Sequence, residues 1–312
     1  MRLLILGAGA LGGYFGAKLT QGGAEVEYLV RPGRAAQLRA DGLVIIANGA
    51  ESRTPAKGIG REQIAGAYDV VLLGCKGFDL EDAIESVAPA IGPATTILPV
   101  LNGIRHIDIL AARFGRDHVL GCQTFENASL RPDGVIVRPA LTAFRGYTTF
   151  GELGGGGSAR CEAIREALAA GGMEGIVSDD ILAAMWAKFR MFCFASTITT
   201  LCRSRAGAIA ASASSGRLVE AVLAEVGAVT AAEGYPVSAE QAVFLRSLFA
   251  DPESIYGPSM LWDMQNNRRT EAEHVIGDMV DRAARLGVAV PVMTAARCNL
   301  EAYEINRQRA QS

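Results

Sequence analysis

The sequence is poor in the side chains from which metal centres and disulfide frameworks are built. It contains only three histidines and six cysteines among 312 residues, and no two cysteines form a C-x-x-C pair. No group of His, Cys, Asp and Glu has the spacing of metal ligands, so no metal site is expected. The scattered cysteines predict reduced thiols, as in a protein of the cytoplasm.

Strong net charge and long apolar runs are also missing. The formal net charge is −3, which gives no reason to expect nucleic acid or an anionic membrane as a partner. No charge-free apolar run reaches the roughly 18 residues of a membrane span, so no transmembrane helix is expected. A first strand is predicted from Leu3 onward, which leaves no room for a signal peptide. The sequence therefore predicts a cytoplasmic protein.

The opening segment, Met1 to Arg31, has the pattern of a nucleotide-binding βαβ unit. An apolar run predicts a buried strand; a G-x-G-x-x-G sequence, a predicted helix and a second strand follow. Gly7 allows a tight turn, Gly9 lets the backbone approach a pyrophosphate, and Gly12 lets the helix pack on the strand. The helix start adds unpaired N–H groups for phosphate. The alternative is a glycine turn without a ligand.

The end of the second predicted strand indicates the form of the cofactor. An NAD site usually has Asp or Glu there, to accept from the ribose hydroxyl, whereas this chain has Arg31 and Arg34. A guanidinium binds a 2′-phosphate that a carboxylate would repel. We therefore expect NADPH, with Arg31 as the main contact and Arg34 as a second. The alternative is that both arginines are solvated loop residues.

Strands and helices alternate through the first part of the chain. Further strands are predicted at 43–47, 52–57, 68–74 and 95–100, and helices at 35–40 and 80–87. This alternation predicts a parallel, doubly wound sheet, whose ligands bind beyond the carboxyl ends of the strands. Lys76 and Asn102 follow two of those ends, placed for cofactor phosphate or ribose and for nicotinamide or substrate, respectively. The alternatives are a solvated lysine and an ordinary Asn-Gly turn.

The pattern changes after residue 118 and again after residue 177. Short segments rich in Val, Thr and Phe predict antiparallel strands at the sheet edge, at 119–120, 135–137, 140–144 and 147–150. A helix is predicted at 159–170 and a last strand at 175–177. Helices alone are predicted beyond it, at 181–200, 218–233, 239–249, 271–286 and 292–307. The sequence thus predicts an α/β domain at 1–177 and an all-helical domain at 178–312.

Two places in the helical half carry candidate chemistry. Lys188 lies between Trp186 and Phe189, where partial burial makes an ammonium a better proton donor; the alternative is a lysine whose head reaches water. The second place has Ser259, whose hydroxyl can donate to a carboxylate, and Glu271 at a predicted helix start. For Glu271 the alternative is a capping turn with no catalytic part. The residue pattern does not by itself join Lys188 to Glu271.

In combination these motifs resemble those of the ketopantoate reductase family, the 2-dehydropantoate 2-reductases. The resemblance extends from the first glycine to about Pro291. It rests on GAGALG at 7–12, Lys76, LNG at 101–103, MWAKF around Lys188, SMLWD at 259–263, RRTE ending at Glu271 and GVAVP ending at Pro291. It implies a Rossmann domain followed by a helical domain like that of 6-phosphogluconate dehydrogenase. The implied reaction is NADPH-dependent reduction of a 2-keto acid, ketopantoate to pantoate in pantothenate biosynthesis.

The resemblance also implies roles for single residues. Lys188 matches the catalytic lysine of the family and Glu271 its catalytic-site glutamate. Asn102 matches an asparagine near the nicotinamide and the substrate, and Ser259 matches a substrate-binding serine. The cofactor-binding set comprises Gly7, Ala8, Gly9, Ala10, Leu11, Gly12, Arg31, Lys76 and Asn102.

One departure from the family bears on the substrate. The better-known members carry asparagines four and eight residues after the catalytic lysine, and this chain has Phe192 and Ser196 at those substrate-binding positions. A ring in place of an amide cannot hydrogen-bond a substrate hydroxyl, so a more apolar 2-keto acid is an alternative substrate. An opine-type dehydrogenase and a non-catalytic NADPH-binding redox sensor are two further hypotheses for the function. The C-terminal helix, 292–309, is long enough for a contact in a homodimer.

Overall fold

The computed structural model describes residues 1–138 and 146–310. The chain separates into two units, one of Met1–Leu101 with His106–Met185 and the other of Asn102–Arg105 with Trp186–Ser312. The short segment that carries Asn102 therefore belongs to the second unit. The strand expected at 140–144 lies outside the described residues, and the predicted domain boundary between 177 and 178 stays a prediction.

The part of the chain up to residue 177 alternates strands and helices, as the sequence predicts. Its strands are β1 (Arg2–Leu6), β2 (Glu25–Leu29), β3 (Leu43–Ala47), β4 (Ala50–Thr54), β5 (Lys57–Ile59), β6 (Val70–Leu73), β7 (Thr96–Pro99), β8 (Leu120–Thr124), β9 (Ser129–Leu130), β10 (Ile136–Arg138), β11 (Tyr147–Glu152) and β12 (Glu174–Val177). Its helices are α1 (Ala10–Gln21), α2 (Pro32–Asp41), α3 (Leu80–Val87), α4 (Arg105–Phe114) and α5 (Ala159–Ala170).

Five parallel strands form the central sheet, in the order β5-β2-β1-β6-β7. Leu4, Val71 and Leu72 at its centre are fully buried, as expected for short apolar strands covered on both faces. From β1 the chain adds β2 and β5 on one side of the sheet and then β6 and β7 on the other. The strand order therefore reverses between β1 and β6, and the topological switch point lies at their carboxyl ends. The predicted parallel sheet is confirmed, and the loops beginning at Gly7 and Gly74 leave from that switch point.

The other described strands form two separate sheets, β4-β3-β10-β9 and β12-β11-β8. The expected antiparallel pairing is confirmed for β8 with β11 and for β9 with β10, but the expectation that these strands extend the edge of the main sheet was wrong. Among the described residues a single parallel bridge, Ile97 to Val119, connects β8 to the main sheet, and β10 pairs in parallel with β3. Asn48 and Gly49 both adopt positive φ, 51° and 77°, and close a tight β3–β4 hairpin, whose strand β3 pairs with β10 on its other edge.

The regular elements of the described chain beyond residue 177 are all helices. The helices from residue 181 onward are α6 (Ile181–Cys202), α7 (Ala206–Ala210), α8 (Ser215–Ala232), α9 (Ala239–Ser247), α10 (Ser259–Gln265), α11 (Asp278–Leu286) and α12 (Pro291–Arg309), with a π-helical segment at Glu273–Gly277 before α11. The buried Glu225 of α8 accepts hydrogen bonds from the N–H groups of Val292 and Met293, both at 2.9 Å. These bonds satisfy free amides in the first turn of α12 and join two helices.

Helix α6 is the longest apolar helix of the described chain. By length and composition alone it is able to cross a membrane, but 67% of its most apolar 18-residue window is buried inside the structure. Its buried Thr199 and Thr200 donate their hydroxyls to the carbonyls of Ala195 and Ser196, both at 2.7 Å. Since these two hydroxyls bond within the helix and most of the apolar window is buried, α6 serves as a core helix, and Lys188 lies in its first half.

Candidate active site

The glycine loop after β1 has the shape of a phosphate-binding turn. Gly7 has a φ of 84°, and a Cβ on Gly12 would lie 2.3 Å from the Gly7 carbonyl oxygen. A Cβ on Gly9 would meet nothing within 4 Å, so the backbone there faces open space. The 12-residue helix α1 begins directly afterwards, at Ala10. This loop fits the pyrophosphate of a dinucleotide at a helix N-terminus.

The two candidate arginines occupy different positions. Arg31 is exposed at the N-cap position of α2, just after β2. Arg34 is half-buried, and its Nη2 donates to the carbonyl oxygens of Ala8 at 2.9 Å and Gly134 at 3.2 Å. Burial lowers the pKa of Arg34, although a guanidinium keeps its charge in proteins. Arg34 thus hydrogen-bonds the backbone of the glycine loop itself. Arg31 stays the predicted contact of a 2′-phosphate.

The segment leading to Lys76 packs against the glycine loop. A Cβ on Gly74, just after β6, would lie 3.1 Å from the Cα of Gly12. Lys76 follows two residues later, half-buried, and its carbonyl accepts from the N–H of Asp79 at 2.9 Å. The structure therefore brings the chain near Lys76 to the glycine loop, and the contact of its ammonium with a cofactor stays a prediction.

In the second unit, the side chain of Asn102 links Lys188 to Glu271. The Lys188 ammonium donates to Asn102 Oδ1 at 3.3 Å, and Asn102 Nδ2 donates to Glu271 Oε2 at 3.2 Å. A cation on one side and an anion on the other set the orientation of the amide. Glu271 is buried, whereas Lys188 and Asn102 are half-buried. Sequence reasoning proposed each residue separately and missed the amide that joins them.

The turn that presents Asn102 requires glycine at the next position. Gly103 has a φ of 82°, and a Cβ there would lie 3.1 Å from the carbonyl oxygen of His274 and 3.3 Å from its Cδ2. The LNG motif therefore combines a left-handed turn with a close approach of the backbone to the π-helical segment. Such segments are frequent at functional sites.

His274 is a buried site residue that sequence reasoning missed. Its ring hydrogen-bonds with the Asn102 backbone, and its position three residues after Glu271 was the signal that could have revealed it. Burial lowers the pKa of His274, and Arg105 adds to that effect. The carboxylates of Glu271 and Asp278 act in the opposite direction.

A network of ion pairs supports α6 at the level of Lys188. Arg282 Nε donates to Asp278 Oδ2 and Arg282 Nη1 donates to Glu233 Oε1, both at 3.0 Å. The Arg282 guanidinium also lies 5.2 Å from the ring centroid of Trp186, two residues before Lys188, as in a cation–π contact. Burial raises the pKa of Asp278, against the effect of Arg282. The network thus links α11 to the C-terminal end of α8 and to Trp186 of α6, close to Lys188 in the sequence.

The remaining predicted substrate residues do not join this chain of hydrogen bonds. Phe192 and Ser196 follow Lys188 on α6; both are buried, and the Ser196 hydroxyl has no hydrogen-bond partner within the described residues. Ser259 is exposed and begins α10. Over residues 1–138 and 146–310, no cluster of three or more His, Cys, Asp and Glu is placed to hold a metal. The substrate roles of Phe192, Ser196 and Ser259 stay predictions.

Comparisons with known proteins cover nearly the whole chain. Residues 3–155 match the family described as ketopantoate reductase PanE/ApbA, and residues 180–304 match its C-terminal domain. The uncharacterized oxidoreductase YkpB of Bacillus subtilis is 33% identical over 98% of this chain and 100% of its own. A 2-dehydropantoate 2-reductase of Halobacterium salinarum is 28% identical over 94% of this chain and 95% of its own.

A solved structure adds a nicotinamide cofactor to the comparison. D-mandelate dehydrogenase, in a ternary structure with NADH and anilino(oxo)acetate, superimposes with a TM-score of 0.88 at 25% identity, over 99% of both chains. Both the sequence and the structure thus lead to proteins that act as oxidoreductases. The chain belongs to the ketopantoate reductase family and is an oxidoreductase of that family.

Proposed function

We propose that the protein reduces a 2-keto acid to a 2-hydroxy acid with NADPH, and that its substrate is 2-dehydropantoate (ketopantoate). The observation that carries the proposal is the hydrogen-bonded chain from Lys188 through Asn102 to Glu271. It offers one ammonium, oriented by the Asn102 amide, to an oxygen that becomes negative. The glycine loop, which fits a dinucleotide, and the family membership also support the proposal.

The residues of this chain supply the proton and the orientation. The chemistry that NADPH would supply when bound is the hydride for the keto carbon. As the carbonyl oxygen gains negative charge, the Lys188 ammonium stabilises it and transfers a proton to it, which completes the hydroxyl. Glu271 holds the Asn102 amide so that its oxygen faces the lysine. The Ser259 hydroxyl donates to the substrate carboxylate, and Lys76 with Arg31 binds the cofactor.

We expect Arg31→Ala to raise the KM for NADPH at least about tenfold, because one charge-assisted hydrogen bond contributes about 1.5–3 kcal/mol. The KM for NADH should change less than about threefold, since NADH lacks the 2′-phosphate. Initial rates with both cofactors measure this, and Arg39→Ala, which removes an exposed arginine from the same helix, is the matched control. A wild-type preference for NADH would contradict the NADPH assignment.

A more apolar 2-keto acid is the second candidate substrate, and Phe192 is the observation that favours it. The ring stands one turn after Lys188 on α6 and is only 8% exposed, so this position offers no hydrogen bond to a substrate hydroxyl. D-mandelate dehydrogenase, which shares the fold, is seen with the aromatic keto acid derivative anilino(oxo)acetate. An aryl 2-keto acid is therefore the natural competitor of ketopantoate in an assay.

We expect Phe192→Asn to raise the ratio of kcat/KM for ketopantoate to kcat/KM for phenylglyoxylate by about tenfold, the effect of about one hydrogen bond. Competition or separate initial-rate assays with the two acids measure the ratio. Phe192→Leu is the control, because it keeps the position apolar and should leave the ratio within about threefold. An unchanged ratio in Phe192→Asn would show that this position does not contact the substrate.

A further inference from the structure

The proposed function gives no task to His274, although this residue lies beside the catalytic candidates. It belongs to the π-helical segment Glu273–Gly277, three residues after Glu271, and is 8% exposed. The π-helical segment is also bound to α6: the buried Cys193 of α6 donates its thiol to the carbonyl of Val275 at 3.6 Å. Burial raises the pKa of Cys193, so this thiol keeps its proton. The thiol bond thus attaches the backbone next to His274 to α6.

Two contacts tie His274 to the turn that carries Asn102. The ring forms a hydrogen bond with the Asn102 backbone that favours the protonated nitrogen, as a ring N–H donating to a carbonyl does. The Gly103 backbone packs on the ring, since a Cβ on it would lie 3.3 Å from His274 Cδ2. An Asn-Gly turn is intrinsically adaptable, because glycine has access to many backbone conformations. The contact with the imidazole restricts the backbone conformations that Gly103 can adopt.

The side-chain bonds of Asn102 alone fix it weakly. They measure 3.3 Å to Lys188 and 3.2 Å to Glu271, at or beyond the long end of ordinary hydrogen bonds. A small shift of the turn would therefore break one of them. We propose that His274 is a positioning residue, which fixes the Asn102–Gly103 turn and so keeps the Asn102 amide between Lys188 and Glu271. This inference rests on the proposed function of that site.

The charge of the imidazole follows from its surroundings. Glu271 faces the ring from just before the π-helical segment, Asp278 from the start of α11 and Arg105 from the start of α4. Burial outweighs the two carboxylates and lowers the pKa of His274. The ring is therefore neutral at neutral pH and donates one N–H. A protonated His274 ring would be a cation beside Glu271, and it would compete with the Asn102 amide for that carboxylate. The positioning role thus belongs to the neutral ring.

The test is a double-mutant cycle on the full-length protein. His274→Leu lacks the N–H, whereas His274→Asn and His274→Gln carry an amide N–H near the positions of Nδ1 and Nε2. We expect His274→Leu to lower kcat about ten- to a hundredfold with the KM for NADPH within about threefold, and one of the two amide variants to recover most of kcat. In an Asn102→Ala background, His274→Leu should change kcat less than about threefold, because effects through one group do not add.

Multiplicative effects of the two substitutions, or no recovery by either amide, would overturn the positioning role while leaving the proposed function intact. A wild-type protein that reduces no 2-keto acid would overturn the proposed function first. A readout without turnover tests the contact itself: the imidazole resonances of His106, His118 and His274 in labelled protein, assigned by the variants. The His274 ring should titrate below the ordinary range, and Glu271→Gln should lower its pKa further. An unchanged titration would contradict the placement.

Discussion

Replacing Lys188 by alanine is expected to lower kcat by about a thousandfold or more, while the Kd for NADPH changes less than about threefold. General acid catalysis contributes about 10²–10⁴-fold, and the ammonium also stabilises the oxygen that becomes negative. The ammonium is half-buried and bound to Asn102, in the unit that does not contain the glycine loop. Cofactor binding and the chemical step should therefore separate in this variant.

Initial rates at saturating keto acid and NADPH measure kcat for Lys188→Ala, and fluorescence titration with NADPH measures Kd. Lys18→Ala is the matched control, because Lys18 lies on α1 and its ammonium bonds only the exposed Gln21 among the described residues. The control should keep both kcat and Kd. A Lys188→Ala protein that still turns over at the wild-type rate would remove the lysine from the mechanism.

Replacing Asn102 by alanine is expected to lower kcat about a hundredfold with little change in the KM for the keto acid. The substitution removes both hydrogen bonds that link Lys188 to Glu271 and leaves Glu271 buried with one donor fewer, a penalty of about 1–3 kcal/mol. The ammonium then has more directions available, and a misdirected proton donor reduces kcat rather than binding.

Asn102→Asp provides the sharper comparison at this position. A carboxylate of the same size still accepts from Lys188 but does not donate to Glu271, and two like charges then face each other. We expect this variant to be as impaired as Asn102→Ala, whereas Asn306→Ala, at an exposed position on α12, should behave as wild type. Full activity of Asn102→Asp would show that the bond to Glu271 is dispensable, contrary to the proposed chain.

The parts of the fold that the sequence predicted well are those coded by neighbouring residues. The strand at 43–47 and the helices at 80–87 and 159–170 have the predicted bounds, because apolar period and turn residues act over a few positions. The glycine loop was recognisable for the same reason. Helix α4, which follows the Asn102 turn directly, and the short α10 were not predicted, since a short amphipathic segment resembles a loop.

The arrangement of the smaller sheets was beyond local patterns. β10 pairs with β3, so Ile136 faces Ile45, and nothing in either segment indicates a partner so distant in the chain. The same limit applies at the site, where Asn102 and Glu271 are 169 positions apart. Their residue types suggested chemistry, but only the folded chain shows that one amide serves both Lys188 and Glu271. His274 escaped attention because its one signal, a position three residues after Glu271, is a spacing common in any helix.

The proposed reaction is tested by NADPH consumption by the wild-type protein with ketopantoate, beside phenylglyoxylate and other 2-keto acids, with NADH in parallel. We predict turnover at ordinary enzyme rates, about 1–10³ per second, with NADPH preferred over NADH and with a 2-hydroxy acid as the product. A protein that binds NADPH and reduces none of these acids would contradict the proposed reaction, and the chain would then be a nucleotide-binding protein without this chemistry.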